Sequence, residues 1–388
     1  MSGSGEVPTS PTGEAPHVDF DLHGFVGIRL MHPTAADVAT VRRQIGPLEA
    51  SLERLPDITI RFVDAIDDDA PLSFATWPES GFTDDAFYLL RGRDGVTAKS
   101  SLPFEDVGST CEIVCERRAS HVPHLLAVIN LTALAHGVLP LHASAFTHRG
   151  VGVLATGWAK GGKTETLLAF AARGATYVGD EWIYLTPDGR MYGVPEPIRL
   201  WHWHVAQIVD LAAGLGAGAR ARLLVLPAVS KLAARLVDRL PRTGTASSVL
   251  RRAEPVVRRQ AFVHVTPERL FGAAAVELQG RLDAVLLLVS HDQPTVTVTS
   301  VSGNEISQRM LASLEEERAP FMAAYRQHLF AFPDRRSHVV EQAQDLEREL
   351  LTGVLGQRAA HVVRHPYPVR LQDLITPIES VLPLAEDA

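Results

Sequence analysis

The apolar positions of this chain follow two different rhythms, and the change between them divides it. Up to about residue 118, short apolar runs alternate with turn residues. FVGIRL (25–30), ITIRFVDAI (58–66), CEIVC (111–115) and AFYLLRG (86–92) have the length and composition of strands. TAADVATVRRQIGPLEASLERL (34–55) has helical spacing and opens at Thr34, a side chain suited to an N-cap. Residues 18–120 are therefore expected to form a small α+β domain behind a disordered Ser/Gly/Pro/Thr-rich tail, 1–17. HVPHLLAVINLTALAHG (121–137) then reads as a helix closed by Gly137.

From there strand and helix alternate. VLPLHASAF (138–146) and VGVLATG (151–157) are predicted strands, and KTETLLAFAARG (163–174) is a helix ended by Gly174. ATYVGDEWIYL (175–185) is expected as one strand and RMYGV (190–194) as another. Residues 203–270 read as a basic helical insertion. LDAVLLLVS (282–290) and TVTVTSV (295–301) are strands, and 305–350 forms long amphipathic helices. HVVRHPYPVRL (361–371) supplies a late strand before a final helix near 371–382. The order predicts an α/β architecture, with a nucleotide-binding core over 121–300 completed by C-terminal helices over 301–388.

The strongest chemical signal is GWAKGGKT, Gly157–Thr164, which matches the phosphate-loop pattern G-x-x-x-x-G-K-[ST]. Its flanks are those the chemistry needs, a strand entering and a helix leaving. The backbone N–H groups of Gly157, Trp158, Ala159, Lys160, Gly161, Gly162, Lys163 and Thr164 would converge on phosphate oxygens, helped by the helix dipole. Lys163 would reach the β- and γ-phosphates and the Thr164 hydroxyl would ligate Mg²⁺. The pattern thus calls for ATP and Mg²⁺. Asp180 and Glu181 end an apolar run just after the loop helix, where a metal-holding carboxylate can sit. Adjacent strand residues point to opposite faces, so one of the two faces the phosphates unless the chain bends near Gly179. His142 approaches the loop if its strand pairs with VGVLATG.

Together, LHASAF, GVGVLATGWAKGGKTET, RGATYVGDE and PEPIRL resemble the HPr kinase/phosphorylase superfamily, and more closely its HPr-kinase-related, serine kinase-like branch of bacterial proteins. The resemblance covers about residues 138–200. It implies a P-loop-containing HPr-kinase-like/PEP-carboxykinase-like core and a kinase activity directed at a serine hydroxyl of a protein or peptide. By that similarity Asp180 is the base, Glu181 and Thr164 help hold magnesium, and His142 sits near the transferred phosphoryl group. The chain departs from the family pattern with Ala159–Lys160 in place of Ser-Gly and with Asp180–Glu181 in place of Asp-Asp. It also lacks an R-G-x-G segment after the acidic pair. Glu196 and Arg199 of PEPIRL are further candidates for a metal ligand or phosphate contact.

Two other functional classes compete. A P-loop ATPase or nucleotide-gated regulator would take its metal carboxylate from a later strand, where Asp292 stands. An interaction module would keep the loop without the chemistry. A formal net charge of −8 argues against a nucleic-acid partner acting through overall charge, although 210–260 carries ten Arg/Lys. No stretch has the ~18 consecutive apolar residues of a membrane span. The N-terminus has no signal-peptide pattern, so a cytoplasmic location is expected. A homo-oligomer is left open. Cys111 and Cys115, about 13 Å apart on one strand by ~3.3 Å per residue, are expected to be buried free thiols. The aspartates of 64–70 read as a solvated loop, and His202 and His204 as packing residues rather than zinc ligands.

Overall fold

A computed structural model describes residues 16–67, 70–92, 97–208, 215–226 and 262–384, with 211 and 228 singly between them. Most of the basic stretch, including Lys231, Arg235, Arg239, Arg242, Arg251, Arg252, Arg258 and Arg259, lies outside the described residues.

The described strands form two large mixed sheets and one small one. The first sheet contains β1 (His17–Leu22), β2 (Val26–Met31), β3 (Ile58–Val63), β4 (Ser73–Thr76), β5 (Ser80–Phe82), β6 (Phe87–Leu90), β7 (Lys99–Ser101) and β8 (Cys111–Glu116). Its order is β1-β2-β3-β8-β7-β6-β5-β4. The β2–β3 pair is parallel because helix α1 (Ala35–Ile45) carries the chain back across the sheet. Thr34 caps α1 as expected, in a reciprocal box with Asp37. The helix is shorter than its apolar pattern suggested. It stops at Gly46, whose φ of +80° favours glycine, and Pro47 follows. On β8, Cys111, Ile113 and Cys115 point inward while Glu112 is exposed, and both cysteines are free. Burial pushes their thiols up to about 12 and about 11. Strand β1 starts at His17, one residue inside the stretch read as tail. Helix α2 (Leu125–Ala135) packs on this sheet through Leu125, Val128 and Ile129.

The second sheet contains β9 (Leu139–His148), β10 (Val151–Thr156), β11 (Thr176–Gly179), β12 (Trp182–Leu185), β13 (Arg190–Gly193), β16 (Gln279–Arg281), β17 (Ala284–His291), β18 (Thr297–Val301) and β19 (Ala359–Pro366). Its main path runs β16-β13-β12-β9-β10-β17-β19-β18, with β11 also pairing with β9. The β10–β17 and β17–β19 pairs are parallel.

Helices cover both faces of this sheet, so β10 is buried throughout and reads as an unbroken apolar run. On one face Val153 and Ala155 meet α3 (Lys163–Ala171) and α8 (Leu371–Glu379). On the other, Leu154 meets α6 (Gly303–Ala331) and α7 (His338–Leu355). Phe321 and Tyr325 of α6 continue into the core of the first sheet, so this long helix spans both layers.

The small sheet pairs β14 (Ile198–Trp201) with β15 (Phe262–Val265). It lies near the short helices α4 (His202–Val205) and α5 (Pro267–Phe271) in sequence. Strand β15 corrects the all-helical reading of 203–270: FVHV is β-branched and short, and pairing with β14 outweighs its helical flanks. No helix among the described residues is long and apolar enough to cross a membrane.

Candidate active site

The expected strand 175–185 is two strands. The chain breaks at Asp180–Glu181, where Glu181 adopts φ +69° and the Trp182 amide donates back to the Asp180 carbonyl at 2.9 Å. The break removes the alternation that would have sent the two acids to opposite faces. It leaves Asp180 buried, 4% exposed, beside Ser144 of β9, while Trp182 lies opposite His142 in the next register. The chain is irregular near Gly179, where the sequence predicts a bend: its register against β9 shifts between Tyr177 and Gly179, and the left-handed residue follows at Glu181.

Between β10 and α3 runs the glycine-rich loop 157–162. Gly157 (φ +145°) and Gly162 (φ +106°) occupy backbone regions that favour glycine. A side chain would also collide there: a Cβ on Gly157 would stand 2.5 Å from the Leu288 carbonyl oxygen, and one on Gly162 2.2 Å from His365 Nε2. Helix α3 starts at Gly162 without a side-chain cap, so its first-turn N–H groups face the loop without such a partner. Lys163, only 6% exposed, folds back and donates to the carbonyls of Gly157 (3.0 Å) and Trp158 (3.2 Å). Burial lowers its pKa, opposed by the carboxylates of Asp180, Glu181 and Glu317. Trp158 and Lys160 are exposed, and a cavity of about 270 Å³ opens beside Gly157, Trp158 and Ala159 toward Met310 and Ser313.

Three hydroxyl and carboxyl groups meet under the loop. Thr164 Oγ1 donates to Asp180 Oδ2 at 3.1 Å, and Ser144 Oγ donates to Asp180 Oδ1. Burial, followed by the nearby Glu181 charge, raises the Asp180 carboxyl to about 6. Glu196, in the turn before β14, is raised to about 7 by burial and by Glu181 and Asp180. His142 lies against two carboxylates, Glu181 at 3.1 Å from Nε2 and Glu317 at 2.5 Å from Nδ1. Burial disfavours its charge, but the hydrogen bonds to Glu181 and Glu317 win and raise its pKa. The same bond to His142 lowers the pKa of Glu181 and of Glu317.

The structure therefore gathers Lys163, Thr164, Asp180, Glu181 and His142 with the loop glycines. Arg199 instead lies over the Phe262 ring at 4.8 Å, although its charge still lowers the Glu181 pKa. Asp292 is exposed past the end of β17, bonded to Gln293. His204 donates to Glu165 at 3.0 Å in a buried pair, in keeping with packing. Ser144, Glu317 and His365 were not singled out by the sequence. The last is fully buried and donates from Nε2 to the Gly161 carbonyl at 2.7 Å, supporting the loop from the end of β19. Among the described residues no three or more His, Cys, Asp or Glu side chains form a ready-made metal cage. Thr164 and Asp180 nevertheless suit Mg²⁺, which commonly takes one or two carboxylates and completes its shell with water and phosphate.

No protein-family model matches the chain, and no curated protein matches it. Among solved structures, the HPr(Ser) kinase/phosphatase from Coxiella burnetii is similar over 49% of this chain and 97% of that chain, at 16% identity and a TM-score of 0.19.

Proposed function

We propose that this chain is an HPr-kinase-like phosphotransferase that moves the γ-phosphoryl group of ATP to a hydroxyl, on a serine of a protein or peptide. The observation that supports it most is the Asp180 carboxylate. It is buried, and it contacts the residue that follows the phosphate-loop lysine, which puts a carboxylate beside the place where the γ-phosphoryl group would lie. Gly157–Thr164 would hold the triphosphate. Lys163 would exchange two carbonyl acceptors for phosphate oxygens, which form stronger charge-assisted bonds. Magnesium bound by Thr164 and Asp180, with Glu181 nearby, would offset charge on the β- and γ-phosphates.

Thr164 would help hold the metal, and the Asp180 carboxylate would accept the acceptor's proton. The acceptor oxygen bonds to the γ-phosphorus as its bond to the β,γ-bridging oxygen breaks. ADP leaves and the proton stays on Asp180. His142, whose charged form is favoured by its bonds to Glu181 and Glu317, would face the transferred group. The ATPase alternative requires Asp292 to act as the metal carboxylate, and its exposed position favours it less.

Asp180→Asn separates these readings. Transfer from γ-labelled ATP to acceptors in a bacterial lysate should fall by ~10²–10⁴-fold while nucleotide binding persists. Unchanged transfer would remove Asp180 from the mechanism.

A further inference from the structure

The cavity of about 270 Å³ beside the glycine-rich loop has no part in the transfer step described above. Its walls include Gly157 and Gly161 of the loop, Leu288 and Ser290 near the carboxyl end of β17, and Met310 and Ser313 of α6. Strands β10 and β17 run parallel toward it, and the carboxyl edge of parallel strands is where open α/β sheets bind ligands.

Its position relative to Asp180 decides which part of a nucleotide can reach it. Asp180 stands at the β11–β12 break beside β9, whereas the cavity stands at β17, on the opposite side of β10. Helix α6 spans the same interval. Its Glu317 meets His142, and its Met310, seven residues earlier, lines the cavity, roughly 10 Å away at 1.5 Å of rise per residue. A nucleotide whose γ-phosphate lies by Asp180 and whose phosphates cross the loop therefore brings its nucleoside end here.

The chemistry of the walls agrees. Arg309 is the one charged residue among those described in the lining, and it donates to Glu305 at 2.6 Å, so the cavity suits an uncharged group rather than a further phosphate. Trp158, on the loop itself, also lines it and is 53% exposed, which leaves an aromatic surface for a ring to cover. Ser313 is 4% exposed, yet its hydroxyl bonds to no other described residue and keeps accessible surface. A hydroxyl both donates and accepts, so it can meet the edge of a heterocycle. The volume lies just below the ~300 Å³ at which drug-sized ligand sites begin, room for a base but not for a whole nucleotide.

We propose that this cavity is the nucleoside subsite of the phosphate loop, where a purine base stacks on Trp158 and bonds at its edge to the Ser313 hydroxyl. A purine covers more of the indole than a pyrimidine does. This assignment rests on the kinase reading and adds to it the group that tells ATP from a bare polyphosphate.

The test compares the β,γ-imido analogues of ATP and of ribose 5-triphosphate, which lacks only the base. Each is loaded with magnesium and titrated calorimetrically into the full chain. The ATP analogue should bind at least tenfold more tightly, in keeping with one base–aromatic stack. Trp158→Ala should remove most of that advantage, and so should Ser313→Leu, which fills the cavity. Affinity for the ribose analogue should stay within about twofold in both variants, with thermal melting to confirm folding. If Ser313→Leu does not fold, the exposed Trp158→Ala change decides. Equal affinity of the two ligands for the unmodified chain, or an advantage that survives Trp158→Ala, overturns the proposal and leaves the kinase reading standing. Binding of neither ligand removes the kinase reading and this subsite with it.

Discussion

Replacing the proposed base should make the protein more stable as it makes it inactive. In the folded chain the Asp180 carboxyl is raised from the ordinary aspartate value of 3.8 to about 6, first by burial and then by Glu181. A raised carboxylate pKa means that the charged form is penalised on folding. Between pH ~4 and ~6 the native state binds more protons than the unfolded one, so this group's contribution to stability falls as pH rises. Above pH 6 the loss is complete, and at ~1.36 kcal/mol per tenfold change in proton affinity it amounts to about 3 kcal/mol. Asp180→Asn keeps the shape and removes the charge. Ser144 and Thr164 hydroxyls can each turn to donate or accept, so the amide can be satisfied between them. The variant should therefore exceed the parent in stability by up to about 3 kcal/mol at pH 7.5 and match it near pH 4. Urea unfolding of both proteins at several pH values measures this difference directly. A variant less stable than the parent at pH 7.5, or a difference that does not change with pH, would refute the reasoning.

Two further outcomes follow from the supports of the site. His365→Ala removes the bond to the Gly161 carbonyl and empties the space beside Gly162, so it should destabilise the fold by ~2–4 kcal/mol and raise the KM for ATP more than it lowers kcat, as steady-state kinetics would show. Glu317→Gln takes one of two carboxylates from His142, so the imidazole's NMR titration midpoint should fall toward the ordinary histidine value. The protonated His142 pairs stabilise the fold below that ordinary value and lose their effect as pH rises through the raised one, so this variant should lose stability mainly on the acidic side.

The parts of the site that could be read from the sequence are those whose signal is local. Gly157–Thr164 announces itself because the glycines, the lysine and the threonine are spaced by the loop's own geometry, and Asp180 because an apolar run ends on it. Ser144 was hidden inside an apolar strand, where a single hydroxyl looks like tolerated packing until its partner is known. Glu317 and His365 reach the site across separations of 175 and 204 residues, carried by α6 and β19, and nothing beside them in the chain marks them. The break at Glu181 is tertiary in origin: β11 and β12 both pair with β9, in one register from Gly179 to Trp182, and the left-handed Glu181 interrupts the strand between them. The end of α1, by contrast, is written locally: Gly46–Pro47 stops the helix through backbone chemistry alone.

The electrostatics of the cluster also say how nucleotide and metal should bind. Asp180, Glu181, Glu196 and Glu317 outnumber the basic groups beside them, Lys163, His142 and, for Glu181, Arg199, so negative charge is in excess where the proposed triphosphate would bind. Without metal, the chain relieves that excess by holding protons on its two most perturbed acids, at about 6 for Asp180 and about 7 for Glu196. A divalent ion placed against Thr164 and Asp180 lowers both values and expels those protons. At pH 6.5 the two acids together hold on the order of one proton. Binding of a magnesium-loaded, non-hydrolysable ATP analogue should then release about that amount, measured calorimetrically in buffers of different ionisation enthalpy, and the release should fade above pH 8. Asp180→Asn should lose its smaller share of the release and Glu196→Gln the larger. Binding that proceeds at pH 6.5 with no proton released would show that these carboxylates are not where the metal and phosphates act.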